Sequence, residues 1–378
     1  MGNEKKAILV SCTDHYRERT YVFDTVLSSE GYETTYLASD FHHIKKEKFK
    51  CGLKNALQIS VRPYSKNLSV NRILSHRDFA KGVYNYLEGL PNEPDLIVAE
   101  IPPNFLAEYL AKYKKRHPKV RLVFDIFDLW PESFPSQRIK SLLKLPFGIW
   151  GNLRDKNLPF ADSVITECNM YQEKLNIAYN PKVHTLYLAA RRFKNEPVCQ
   201  NIDTSRIVLC YLGSVNNVID IERIESFVKQ LNLLKPCKVK VIGDGEKTDE
   251  FLCALNRTGA ELEFHGNVYD SEKKSEIMSD CHFGLNIMKP SVCVALTMKS
   301  IDYFSFDLPI INTISADTFK LVDNEKIGFN LTDDTAKTVA SLSERELISL
   351  RNNVRKVFDR EFDLSVVSSK LKNIFKEL

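Results

Sequence analysis

The sequence predicts an α/β protein built from two doubly wound, Rossmann-like domains in tandem, and three observations carry that prediction. The chain has 378 residues, which at roughly 100–200 residues per domain is room for two. Short apolar runs alternate with helix-length amphipathic segments, the pattern of a parallel sheet covered by helices on both faces. The alternation halts once, in a polar stretch near the middle, and then restarts.

The first-half runs are AILVSC, TTYLAS, LQISV, DLIVAE, RLVFDIFDL, DSVITE and VHTLYLA. They are nearly continuous in Val, Ile, Leu and Phe, as strands buried on both faces should be. The segments between them, such as 103–116, carry helical periodicity. ARRFKNEPVCQNIDTSR, at 190–206, is polar, contains Pro197 and has no period, so it reads as a linker. The second series is IVLCYLG, KVKVIGDG, LEFHGN, FGLNIM and PIINT, and two helices at roughly 344–359 and 364–377 close the chain. The expected division is residues 1–190, a linker at 191–206, residues 207–362, and a final helix at 363–378. The stripe Leu364, Val367, Leu371 and Ile374 needs a surface, and it is expected to pack back on the first domain. Two such domains in tandem are expected to create a cleft between them, and ligands of doubly wound sheets bind at the carboxyl ends of the strands.

Composition narrows the function. Hydrophobic residues are 43% and charged residues 27%, an ordinary globular mix. A net charge of +4 is not the dense basic field of a nucleic-acid binder. The nine cysteines form no C-x-x-C pair and the histidines no zinc spacing, so buried thiols in a reducing compartment are expected. The apolar run in MGNEKKAILVSC is too short for a signal peptide or membrane span. Lys6 stands where a myristoylation signal has Ser or Thr. A cytoplasmic location is expected.

The most informative stretch is PSVCVALTMKSIDYFSFDLPII, from Pro290 to Ile311. Thr297 is a good N-cap for a helix beginning at Met298. The amides of Met298, Lys299 and Ser300 then point out of the helix end and, with the dipole, make an anion site. Lys299 is unfavourable at that end unless an anion is bound. Asp302 lies on the same face three residues on, placed for the hydroxyls of a ribose behind a phosphate. The alternative is a surface Lys–Asp pair worth roughly 0.2–0.5 kcal/mol, and from this segment alone both readings stand.

The stretch resembles the signature of the family 4 glycosyltransferases of GT-B fold, roughly P-S-x-x-E-P-F-G-L-x-x-x-E-A-x-A-x-G-x-P-V-I. Pro290, Ser291, Pro309 and Ile311 fall in register, and Asp302 falls on the second glutamate. That carboxylate, by the resemblance, grips the donor ribose, and the amides before it hold the diphosphate. YLGS (211–214) looks like the first strand and turn of the family's donor domain. VIGDGE (241–246) looks like its G-x-G turn, and FHGNV (264–268) like the segment bordering the base. The resemblance therefore implies donor contacts at Gly213, Ser214, Gly243, Val268, Thr297, Met298, Lys299 and Asp302. Val294 replaces the family's first glutamate. Ser214 and Ile219 replace an arginine and a lysine on the diphosphate, which leaves Lys299 as the cation. Asp307 stands for a glycine at the helix end, where Asp tolerates left-handed φ/ψ better than most residues.

On the acceptor side, DLWPES (128–133) resembles a motif of members that build bacterial surface polysaccharides, and FADSVITEC (160–168) resembles another family strand. Asp128 and Glu132, at a strand's carboxyl end, are placed for sugar hydroxyls, and Glu132 equally suits capping an N-terminal helical turn. Asp125, inside the apolar run, suits tying down a neighbouring loop instead. Asp14, His15, Arg17 and Arg19 follow the first strand and fit either a phosphorylated acceptor or a solvated helix start. His42, His43, Lys45 and Lys46 follow the second and fit either a lipid diphosphate or a solvated loop. QRIKSLLKLPFGIWGNLRDK (137–156) mixes basic and apolar residues. It suits an anionic membrane interface, but Pro146 interrupts it and core packing is the expected fate of its apolar residues.

The resemblance implies a hexosyltransferase that moves a sugar from a nucleotide diphosphate sugar to a hydroxyl of a saccharide or polyprenyl-diphosphate-linked saccharide, with retention. The setting would be capsule or O-antigen synthesis at the cytoplasmic face of the membrane, with no cofactor, metal or nucleic acid required. Asp128 and Lys299 would carry the chemistry, by acceptor alignment and stabilisation of the departing diphosphate. The alternatives are a GT-B subunit that has lost turnover and scaffolds an active partner, or another GT-B enzyme such as a nucleotide-sugar epimerase.

Overall fold

The computed structural model describes residues 5–12, 17–52, 55–67, 69–134, 142–178, 180–193 and 202–378. The chain divides into two compact units, residues Met1–Ala189 with Val367–Leu378, and residues Ala190–Val366.

The strands of the first unit are β1 (Lys5–Ser11), β2 (Tyr32–Ser39), β3 (Phe41–His42), β4 (Glu47–Lys48), β5 (Ala56–Ile59), β6 (Leu96–Ile101), β7 (Arg121–Ile126), β8 (Ser163–Thr166) and β9 (Val183–Thr185). Seven form one parallel sheet in the order β5-β2-β1-β6-β7-β8-β9. The sequence showed all seven. It did not show the antiparallel pair β3–β4, whose runs are too short and charged to carry a period. β6 is buried at every position and β7 at all but its first residue, which is why they read as nearly continuous apolar runs broken only by the buried Glu100 and Asp125 and the exposed Arg121.

The second unit contributes β10 (Ile207–Leu212), β11 (Cys237–Ile242), β12 (Glu261–Gly266), β13 (Phe283–Asn286), β14 (Ile310–Asn312) and β15 (Gly328–Asn330). They form a parallel sheet in the order β12-β11-β10-β13-β14-β15. β15, Gly-Phe-Asn with only its glycine buried, carries no apolar run and was not read from sequence. Both sheets start in the middle, run outward in one direction, then return to the middle and run the other way. The reversal falls between β1 and β6 in one unit and between β10 and β13 in the other. Ligands of such sheets bind outside the strand carboxyl ends at that reversal.

The closing helices run over Glu344–Glu361 and Leu364–Lys376. In the last, Val367, Leu371 and Ile374 are buried, the Phe375 ring lies 6.1 Å from that of Phe23, and Lys372 pairs with Glu30. A capping box at Ser343 and Glu346 starts the longer one. Among the described residues, no helix is long and apolar enough to cross a membrane.

The expectation of core packing for 137–156 needs correction; residues 137–141 lie outside the description. A helix spans Lys144–Asp155, and Pro146 sits in its first turn, where no amide is missed. Phe147 and Trp150 do pack, against Phe134 and Trp130, with ring centroids 5.0 and 5.8 Å apart. Leu142, Leu145 and Ile149, however, are 77, 76 and 61% exposed. The aromatic face is used inward and the aliphatic face is left to solvent.

Candidate active site

The donor-side residues assemble within the second unit, at the reversal of its sheet. The ladder between β10 and β13 runs through Leu209–Phe283 and Cys210–Gly284 and stops there. Beyond it the strands part, and the Tyr303 hydroxyl fills the opening. It accepts the Leu212 amide proton at 2.8 Å and lies 3.2 and 3.3 Å from the carbonyls of Cys210 and Leu285, to which it can donate. The ring lies on Gly284, where a Cβ would come within 2.6 Å of it. Tyr303 therefore clamps the helix Met298–Ser305 onto the point where the strand order reverses. The Tyr303→Phe variant should lose about 1–3 kcal/mol, since buried backbone groups lose their partner. A urea unfolding midpoint equal to the parent's would contradict that role.

Thr297 caps this helix as expected, with φ −111° and ψ 153°, its hydroxyl accepting the Ser300 amide at 3.1 Å. One correction follows. The Ser300 amide is consumed by the cap, and its side chain is buried against Asn286. The amides pointing out of the helix end are those of Met298 and Lys299.

Lys299 precedes Tyr303 by four residues, so the two share a helix face. Its ammonium lies 4.3 Å from the centroid of the Tyr211 ring, and its stem passes over Gly213. Burial pushes its pKa down to about 8. Gly213, at φ 111°, and Gly243, at φ 135°, make the adjoining turns. A Cβ on Gly243 would lie 2.0 Å from the Gly213 carbonyl oxygen, so only glycine permits this approach. The Ser214 carbonyl accepts from the Tyr211 hydroxyl at 2.8 Å. Val268 is half-buried two residues beyond Gly266, whose carbonyl takes the Gly243 amide at 2.7 Å. Asp302 is half-buried one turn along from Lys299, and Met298 is exposed at the helix end. Ile219, expected from the sequence resemblance to replace a lysine, is in the core and brings no cation to the site.

Asp307 takes up the left-handed conformation, φ 56°, just past the helix. Its amide and that of Leu308 close the helix end on Phe304 and Tyr303, each at 3.0 Å. Its carboxylate is gripped by Arg192 and by Arg355, whose Nε lies at 3.0 Å. A glycine would satisfy the backbone but leave both guanidinium groups without this partner.

In the first unit the acceptor-side residues separate. Asp14 lies outside the described residues, and Arg17 opens the helix Arg17–Ser29 with its side chain outside the description. Arg19 is not available to an acceptor. It is buried, and its guanidinium binds Asp125 with two contacts of 2.6 and 2.7 Å and donates to the Leu186 carbonyl at 3.0 Å. Asp125 is fully buried in β7 and does tie down a neighbouring element. His42 Nδ1 accepts the amides of Ile44 and Lys45, folding its own turn, while His43 Nδ1 meets the Tyr64 hydroxyl at 2.6 Å. Glu132 binds the buried Arg154 through both oxygens, at 2.8 and 3.1 Å, a structural use.

Asp128 stays half-buried just beyond β7, where Oδ1 accepts from the Leu129 amide and the Ser133 hydroxyl, both at 2.7 Å. Burial pushes its pKa up. Glu167, the residue after β8, interacts electrostatically with Asp128 and Asp125, and burial pushes it up to about 8. Sequence reading missed Glu167, because a single acid after a strand has no signature.

The fold has solved counterparts. Anabaena HepE in complex with UDP superposes with a TM-score of 0.68 at 14% identity, covering 99% of this chain and 100% of that one. The lipopolysaccharide outer core galactosyltransferase WaaB gives 0.64 at 13%, covering 99% and 100%, and OtsA gives 0.66 at 9%, covering 98% and 99%. The architecture is GT-B, two Rossmann-like domains of parallel sheet flanked by helices. No protein-family model matches the sequence, and no curated protein sequence matches it significantly.

Proposed function

We propose that this protein is a glycosyltransferase that takes a sugar from a nucleotide diphosphate sugar and passes it to a hydroxyl of a saccharide or lipid-linked saccharide. The observation that carries the reading is the placement of Lys299 at the N-terminus of a helix clamped to the sheet reversal, with Asp302 one turn behind. A cation there opposes the helix dipole unless an anion is bound, and a diphosphate fits that requirement. The bond from the anomeric carbon to the diphosphate oxygen breaks, the acceptor oxygen takes its place, and the acceptor proton passes to the departing diphosphate. The Met298 and Lys299 amides and the Lys299 ammonium offset the charge that develops, without a metal. Asp302 holds the ribose. HepE has been crystallised with UDP-glucose, which supports a uridine donor here. Retention, a surface polysaccharide as product and work at the cytoplasmic membrane face complete the reading, and all three rest on the sequence resemblance.

Ile219 in the core and Val294 in place of a glutamate favour one second reading, a subunit that binds the donor without turnover. Nucleoside diphosphate release from a panel of nucleotide sugars separates the two. The transferase reading expects release by the parent chain, with Asp302→Ala weakening donor affinity roughly tenfold or more through loss of a charge-assisted hydrogen bond. Donor binding without any release, even with acceptor extracts present, would favour the scaffold.

A further inference from the structure

A second group of cations stands in the first unit with no carboxylate bonded to it among the described residues. Arg72 lies in the first turn of the helix Val70–Glu88, which is capped by Ser69 and has no acidic residue in that turn. Its guanidinium carbon sits 5.3 Å from the centroid of the Trp130 ring, and Nη1 donates to the Asn67 carbonyl at 3.1 Å. Its Nε is buried and has no hydrogen-bond partner. Lys46 approaches from the β3–β4 turn; its ammonium donates to the His43 carbonyl and the Asn67 side-chain oxygen and lies 4.8 Å from the Tyr64 ring centroid, so its charge is hydrogen-bonded but not neutralised. Lys46 adopts φ 60°, the left-handed region, where a lysine is strained. His76, one turn after Arg72 on the same helix, is only 6% exposed, and its Nδ1 is also buried without a partner.

These groups interact with one another. Tyr64, Lys46, His76 and Cys12 all feel the Arg72 charge. Burial, with the Arg72 charge adding, pushes His76 down to about 3, so the imidazole is neutral and as the Nδ1–H tautomer is a donor. Burial and then Arg72 also lower the Lys46 ammonium. Asp128, the carboxylate facing Arg72, already spends Oδ1 on Leu129 and Ser133. Two like charges and two orphaned nitrogens held together cost free energy unless a ligand compensates them.

We propose that Lys46, Arg72 and His76 form a binding site for an oxyanion, a phosphate or carboxylate carried by the acceptor. The word acceptor rests on the transferase reading; the anion site does not. Arg72 offers a planar fork suited to either group, Lys46 a point charge and His76 a neutral donor. The site lies beside Asp128, so an anionic handle held there would bring a neighbouring acceptor hydroxyl to the strand ends.

The test titrates inorganic pyrophosphate and, separately, glucuronate into the full chain by calorimetry, with Arg72→Ala, Lys46→Ala and Lys299→Met alongside. Arg72→Ala and Lys46→Ala should each weaken one binding event roughly tenfold or more, while Lys299→Met leaves that event unchanged. An Arg72-dependent response to pyrophosphate identifies a phosphorylated acceptor, and a response to glucuronate alone identifies a uronic acid. Lys46→Ala covers the case in which Arg72→Ala lowers the unfolding midpoint. The proposal is overturned if neither probe binds in a manner dependent on Arg72 or Lys46. Pyrophosphate binding that fails only in Lys299→Met reports the donor site, and with no Arg72- or Lys46-dependent event beside it the anion-site proposal is overturned.

Discussion

The Lys299→Met variant is expected to bind donor 10- to 100-fold more weakly, roughly the value of a hydrogen bond to a charged group. Turnover should fall at least as far, because the charge on the departing diphosphate grows in the transition state. The parent should also show a pH dependence that the variant lacks. Burial holds the free lysine down at about 8, so the ammonium is charged below that pH and neutral above it. A bound diphosphate favours the charged form, and binding above pH 8 must therefore take up a proton. Donor affinity should fall as pH rises from 7 to 9.5 in the parent and stay level in Lys299→Met. Lys299→Arg, always charged, should be level as well. In the absence of ligand the sign reverses. The folded pKa lies below that of the unfolded chain, so this lysine contributes stability that increases between about pH 8 and the ordinary lysine range. Calorimetric titrations across that range check both parts.

Asp125→Ala should be the most destabilising change in the first unit, about 3–5 kcal/mol, because it leaves the Arg19 guanidinium buried without its partner. The side chains are 3% and 0% exposed, too dry for water to take over. Replacing both, as Arg19→Met with Asp125→Leu, should recover most of the loss, since paired apolar groups avoid desolvating two charges. Glu100 and Glu167 will partly respond. Both are pushed up to about 8, chiefly by burial, with the Asp125 charge contributing. Without Asp125 they ionise more readily, so the single variant should lose less stability above pH 8 than at pH 6. A denaturation series on the single and double variants at both pH values tests this, and a single variant as stable as the double would contradict it.

What the sequence revealed and what it hid divide along physical lines. Local signals were legible. Thr297 was readable as a cap because capping is settled within three residues, and Asp307 as tolerant of the left-handed turn only because the resembling signature has a glycine there. The buried strands announced themselves by nearly continuous apolar runs. Long-range pairings were not legible. Arg19 was read as an acceptor contact, and its partner Asp125 lies 106 positions away. Tyr303 reads as one more apolar residue in a buried helix; its use of the hydroxyl to bridge diverging strands follows only from the sheet order. Arg72 and His76 sit in a helix with no motif, and they matter because that helix starts beside Trp130 and the β3–β4 turn. The exposed face of the helix Lys144–Asp155 was misjudged for the same reason, since composition alone cannot say which side of a mixed helix finds a partner.

The most direct test of the donor site is a crystal structure of the full chain with the nucleoside diphosphate it binds. The diphosphate should lie against the amides of Met298 and Lys299 with the Lys299 ammonium turned from the Tyr211 ring onto it, and the ribose hydroxyls should meet Asp302. A nucleotide bound at other strand ends, with Lys299 still resting on Tyr211 and Asp302 untouched, would contradict the account.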